Sequence, residues 1–126
     1  MSPHRIVNSP ELGKPSGFSH AVVATGTTVY LAGQIGGGTT IAEQFDSAAE
    51  NMMLALQAAG GDAGDLVSLQ VFVTDVSVYK DARPEIGQAW RKHFGRHYPA
   101  MGLFGVKELF EPDALVELMG VAVLPA

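Results

Sequence analysis

The sequence contains no cysteine. Disulfides, zinc–thiolate sites and cysteine nucleophiles are therefore excluded, and a reducing compartment is compatible with that usage. Charged residues are scarce, at 17% against roughly 25% in an average soluble domain. Basic residues are scarcest: Lys and Arg total 8 against 13 Asp and Glu, a net charge of -5. The densest basic cluster is Arg91, Lys92, His93, Arg96 and His97, which is one helix end. Nucleic-acid affinity rests on neutralising many phosphates, so neither nucleic-acid binding nor ribonuclease action is expected. No apolar run approaches the roughly 20 residues of a membrane span. The N-terminal residues lack the apolar core of a secretory signal, so the cytoplasm is the expected location.

What is present is a 126-residue chain, 47% hydrophobic, which reads as one domain over 1–126. So few charges cannot cover the surface of a small domain. Association of subunits through an apolar face is the expectation.

The apolar pattern changes period along the chain. Arg5 to Asn8 reads as a short strand. His20–Thr25 and Thr28–Ala32 read as a hairpin joined at Gly26-Thr27. Ile41, Phe45, Ala48, Ala49, Met52 and Leu56 recur at steps of three and four, one face of a helix. Thr39 or Thr40 caps it and Gly60-Gly61 ends it. Leu66–Thr74 is a strand with Val67, Leu69, Val71 and Val73 on one face and Ser68, Gln70 and Phe72 on the other. A second helix covers Val78–Phe94, weakened at Pro84 and Gly87. Met101–Val106 and Leu115–Leu124 complete the strands. The order β-β-β-α-β-α-β-β predicts an α+β sheet with two helices on one face.

Few residues are candidates for chemistry. Glu117 is the only charge after Asp113, inside an apolar strand. It is either on a solvated face or held in apolar surroundings, where a carboxylate can shuttle protons. Arg83 begins the second helix, where the macrodipole gives a cation no benefit. It either pairs with a surface carboxylate such as Glu85 or anchors an anion. The loop Gly33–Gly38 lacks both the Gly-Lys-Ser/Thr and the dinucleotide glycine patterns, so nucleotide binding is not expected. Backbone N–H groups at Gly33 could still meet a carboxylate. His93 and His97 are four apart without a His-Glu-x-x-His motif, which reads as solvated helix-end histidines and no metal site. Ser19-His20 is no triad signature, because triad partners meet in space. Trp90 is expected to pack with its N–H paired.

Several stretches together resemble the Rid/YjgF family, also called endoribonuclease L-PSP. They are Gly17–Val22, Val29–Ile35, Ala49–Met52 with Ala58–Gly60, Val71–Asp75, Tyr98–Ala100 and Val116–Leu118. The resemblance implies a chorismate-mutase-like fold and a homotrimer whose sheets face inward. It implies small-molecule clefts between adjacent subunits, and hydrolysis of reactive enamines and imines to keto compounds and ammonia, without metal or organic cofactor. In the family an Arg grips the substrate carboxylate and a Glu near the C-terminus positions or activates water. Glu117 matches that Glu, and Gly33 matches the glycine whose backbone lines the cleft. Phe18 stands where the family has Tyr, Met101 where it has the gripping Arg, and Arg83 where it has Asn. The implied cleft of Phe18, Met101 and Leu103 is more apolar than the family's. Arg83 then either replaces the missing anchor, or the ligand is less anionic. A non-catalytic metabolite-binding or sensing member is the alternative to a deaminase.

Overall fold

The computed structural model describes residues 2–126. Six strands and three helices follow in the order β1 (Arg5–Val7), β2 (Ala21–Val23), β3 (Gly26–Gln34), α1 (Ile41–Ala58), β4 (Leu66–Val73), α2 (Val76–Asp81), α3 (Arg83–Phe94), β5 (Ala100–Gly105) and β6 (Val116–Pro125). The main sheet has the order β3-β6-β4-β5, antiparallel except for the parallel β4–β5 pair. This is the α+β arrangement expected from the element order, with the helices on one face.

Helix α1 forms where the 3.6-residue period demands it. Phe45, Ala48, Ala49, Met52 and Leu56 are fully buried against Leu69, Val71, Leu118 and Ala122 of the sheet. Thr40 caps the helix in a reciprocal box with Glu43, whose carboxylate takes N–H groups of Thr39 and Thr40 and is held below its ordinary range by them. Gly60, at φ +89°, turns the chain out of the helix.

Three local expectations are corrected. The hairpin 20–32 does not form: β2 pairs with β1, and β3 pairs with β6. Gly26 is the first residue of β3, and a Cβ there would collide with the Leu124 carbonyl, so this glycine serves close strand approach rather than a turn. The second helix is two, broken at Ala82 because Pro84 cannot donate into a continuing helix. In β4 a bulge between Leu66 and Ser68 puts Leu66 rather than Val67 into the core.

The two long helices are pinned by charge. His93 Nε2 lies 2.6 Å from Asp46 Oδ1 and Lys92 Nζ lies 3.3 Å from Asp46 Oδ2. The His93 hydrogen bond holds the Asp46 carboxyl below its ordinary value. His93 is thus a helix-bridging residue, not a solvated one. A lowered folded-state value adds stability above the unfolded pKa near 3.8, and that stability is lost as pH falls through the lower folded value. Asp46→Asn should therefore reduce stability by about 0.5–1 kcal/mol at neutral pH. Denaturant titrations at pH 7 and pH 3 should show the difference shrinking in acid.

Candidate functional site

Strand β6 alternates cleanly. Val116, Leu118 and Ala122 face the helices and are buried. Glu117, Met119 and Val121 therefore face the other side of the sheet. No helix covers that side. Glu117 stands opposite Phe72 of β4, and Phe72 stands opposite Phe104 of β5. The two phenyl rings stack at 5.8 Å. Tyr30 shares this face through its pairing with Val121. Tyr30 is 80% exposed, Phe104 49% and Met119 42%. The open face thus combines these apolar side chains and one carboxylate with the polar Ser68 and Gln70 of β4, which pair with each other.

That carboxylate is seated by a backbone irregularity. Between Leu31 and Gln34 the register of β3 against β6 slips, and Gly33 occupies the slip. A Cβ built on Gly33 would lie 2.9 Å from Glu117 Cδ and closer still to its Oε2. Glu117 therefore rests directly on the backbone of Gly33, in space only glycine leaves open. Glu117 is half-buried and forms no ion pair among the described residues. A carboxylate so placed, beside apolar side chains yet open to solvent, can take a proton from water and return it.

The other predicted site residues lie elsewhere in the chain. Met101 and Leu103 pair with Leu69 and Val71, so they are on the helix-facing side of β5, packed against the core. Phe18 precedes Ser19, which bridges to Ala100 at the start of β5. Phe18 is partly exposed with its ring 6.0 Å from that of His20. Within one chain Met101 and Leu103 and the Glu117 side chain occupy opposite faces of the sheet. Arg83 is apart from both: it is exposed at the α2–α3 junction, and its Nε donates to the Lys80 carbonyl at 3.0 Å. Its hydrogen bond closes the end of α2, and it makes no pair with Glu85.

The remaining polar candidates have structural partners. Ser19 Oγ donates to the Tyr98 carbonyl and His20 Nδ1 accepts from the Ser9 N–H, so the two do not act together. Trp90 donates to the His97 carbonyl as expected. Among the described residues no three His, Asp or Glu side chains converge on a metal position, and no helix is long and apolar enough to cross a membrane. The aromatic pair Phe72–Phe104 beside Glu117 was missed in the sequence reading. Strand alternation in Met101–Gly105 carries the signal, since Phe104 must face away from Leu103.

Residues 10–124 match the family model described as endoribonuclease L-PSP. The chain belongs to the endoribonuclease L-PSP, or Rid/YjgF, family. A 2-iminobutanoate/2-iminopropanoate deaminase from Dermatophagoides farinae is 30% identical over 98% of this chain and 99% of its own length. Among solved structures, a conserved Rid-family protein of unknown function from Yersinia pestis superposes with a TM-score of 0.84 at 30% identity, covering 96% of this chain and 98% of that one. A YjgF/YER057c/UK114 family member from Mycobacterium tuberculosis superposes at 0.69 with 32% identity, covering 96% and 99%. The Rid/YjgF assignment gives the Glu117–Gly33 contact its interest. Glu117 and Gly33, the two positions matched to the family's site by resemblance, lie against each other.

Proposed function

We propose that this Rid/YjgF protein hydrolyses reactive imines and enamines to keto compounds and ammonia, in clefts formed between subunits of a homotrimer. The observation that carries the reading is the Glu117 carboxylate seated on Gly33 at an uncovered face of the sheet. The deaminase name of the mite relative points the same way. In the proposed step, water adds to the imine carbon while its proton passes to Glu117. The proton then moves from Glu117 to nitrogen, giving a carbinolamine; Glu117 next carries the hydroxyl proton to the same nitrogen as the C–N bond breaks, so that ammonia leaves, the C=O group remains and the carboxylate is restored. No redox partner is required.

The division of the predicted residues supports an inter-subunit location. Glu117 and Gly33 occupy one face, while Phe18, Met101 and Leu103 gather at the edge strand β5. Packing the open face of one subunit against the β5 edge of the next would bring the two groups to one cleft and cover Tyr30, Phe104 and Met119.

A second reading concerns the substrate. Met101 brings neither charge nor donors to the position where the family's Arg grips a carboxylate, and Arg83 stands at the α2–α3 junction with its Nε on the Lys80 carbonyl. A less anionic imine fits this cleft better than a small 2-imino acid. The test is ammonia release from 2-iminopropionate, generated in situ by an amino-acid oxidase, beside an imine of an apolar aldehyde. Acceleration of either over buffer supports the deaminase, and preference for the uncharged imine supports the second reading. Acceleration of neither, with a metabolite raising Tm unconsumed, would replace both by a binding or sensing role.

A further inference from the structure

A second cavity lies at the far end of β4 from Glu117. It has a volume of about 720 Å³, within the usual span of small-molecule sites. It opens beneath β1, between the turn at Ala63 and the turn that enters β5. Ile6, Phe94 and Tyr98 give it an apolar wall, and Asp62, Arg96 and His97 line it with polar groups. Phe72 marks the Glu117 end of β4, and Leu66, whose carbonyl His97 of the cavity lining reaches, marks the other end. Six residues of strand separate them by roughly 20 Å, so the two sites are distinct.

The polar groups are of three kinds. His97 Nε2 lies 2.7 Å from the Leu66 carbonyl, which can only accept, so Nε2 carries the hydrogen. Burial disfavours the charged ring and holds its pKa below the ordinary imidazole value. The neutral ring then has a bare Nδ1. Among the described residues no fully buried side-chain N or O atom lacks a partner. Among the described residues Nδ1 has no partner, and His97 lines the cavity. Asp62 and Arg96 are both exposed on the same lining, and neither forms an ion pair among the described residues. Asp62 caps the turn Ala63–Asp65, its carboxylate taking the Ala63 N–H and sharing a reciprocal box with Asp65, and as an exposed carboxylate it keeps acceptor capacity beyond those bonds.

The site therefore offers a cationic fork, a carboxylate oxygen and a neutral nitrogen acceptor around an apolar wall. That set complements a zwitterion. We propose that this cavity binds a free α-amino acid with an apolar side chain. Arg96 takes the carboxylate, Asp62 and His97 Nδ1 take the ammonium, and the side chain rests on Ile6, Phe94 and Tyr98.

Isothermal titration of the full chain with L-leucine tests it. Saturable binding is expected, with 4-methylpentanoate and 3-methylbutylamine, which each lack one charge, weaker by at least about tenfold. Arg96→Gln and Asp62→Asn are exposed changes that should keep the wild-type Tm and each weaken L-leucine binding by about tenfold. Glu117→Gln should leave that binding unchanged. Absence of both heat and a Tm shift up to about 10 mM L-leucine would overturn the proposal. So would undiminished affinity in the Arg96 and Asp62 variants. Loss of binding in Glu117→Gln would place the amino acid in the Glu117 cleft and overturn the second site.

Discussion

Glu117→Gln should lower ammonia release from the preferred imine by about 10²–10⁴-fold, the usual worth of a positioned acid–base group. The loss should fall on kcat, because glutamine keeps the size of the side chain and its rest on Gly33 while being unable to take a proton from water. Stability should change little: Glu117 is half-buried, with no ion pair among the described residues to lose. Thermal melts beside the kinetic assay separate loss of chemistry from loss of fold. Wild-type turnover in a well-folded Glu117→Gln protein would remove Glu117 from the mechanism.

The second large effect concerns assembly. Tyr30 and Met119 lie on the open face, 80% and 42% exposed in the isolated chain. The proposed trimer buries them. Lysine at both positions would bring six extra cations toward one threefold axis, where removing them from water costs far more than their neighbours repay. Tyr30→Lys/Met119→Lys should therefore run in light scattering as a 13.3 kDa monomer rather than at three times that mass. Ammonia release should fall with the assembly, because each cleft would lose half of its wall. The monomer should keep native helical circular dichroism, since neither residue belongs to the buried core. A trimeric double variant would show that this face is not the interface, and an active monomer would place the cleft within one chain.

Much of the fold was legible because its cues are local. The period of Ile41 to Leu56 specifies a helix face, and Thr40 with Glu43 marks where it starts. The apolar run Leu115 to Leu124 specifies a terminal strand. Pairing was less legible. His20 to Ala32 looks like a hairpin, yet β3 finds β6 at the other end of the chain, a partner no local rule can name. The histidines were misread for the same reason. Helix-end spacing suggests solvation, whereas Asp46 and the Leu66 carbonyl reach them from other elements.

The candidate site divides in the same way. Glu117 stood out as a lone charge in an apolar strand, and the family pattern pointed to Gly33. Their contact depends on the slip between β3 and β6, which exists only once both strands are paired. Arg83 reads first as a surface cation and second as an anion anchor, and its Nε bond to the Lys80 carbonyl at the helix end is visible only in the structure.

By itself, the sequence determined most of the elements, the scarcity of charge and the residue types available for chemistry, because these reside in composition and short-range period. The tertiary structure alone decided which face Glu117 shares with Phe72 and Phe104, that Met101 and Leu103 turn the other way, and that His97 lines a second cavity. Those outcomes depend on strand register and on groups far apart along the chain, and such contacts form only when the whole core packs.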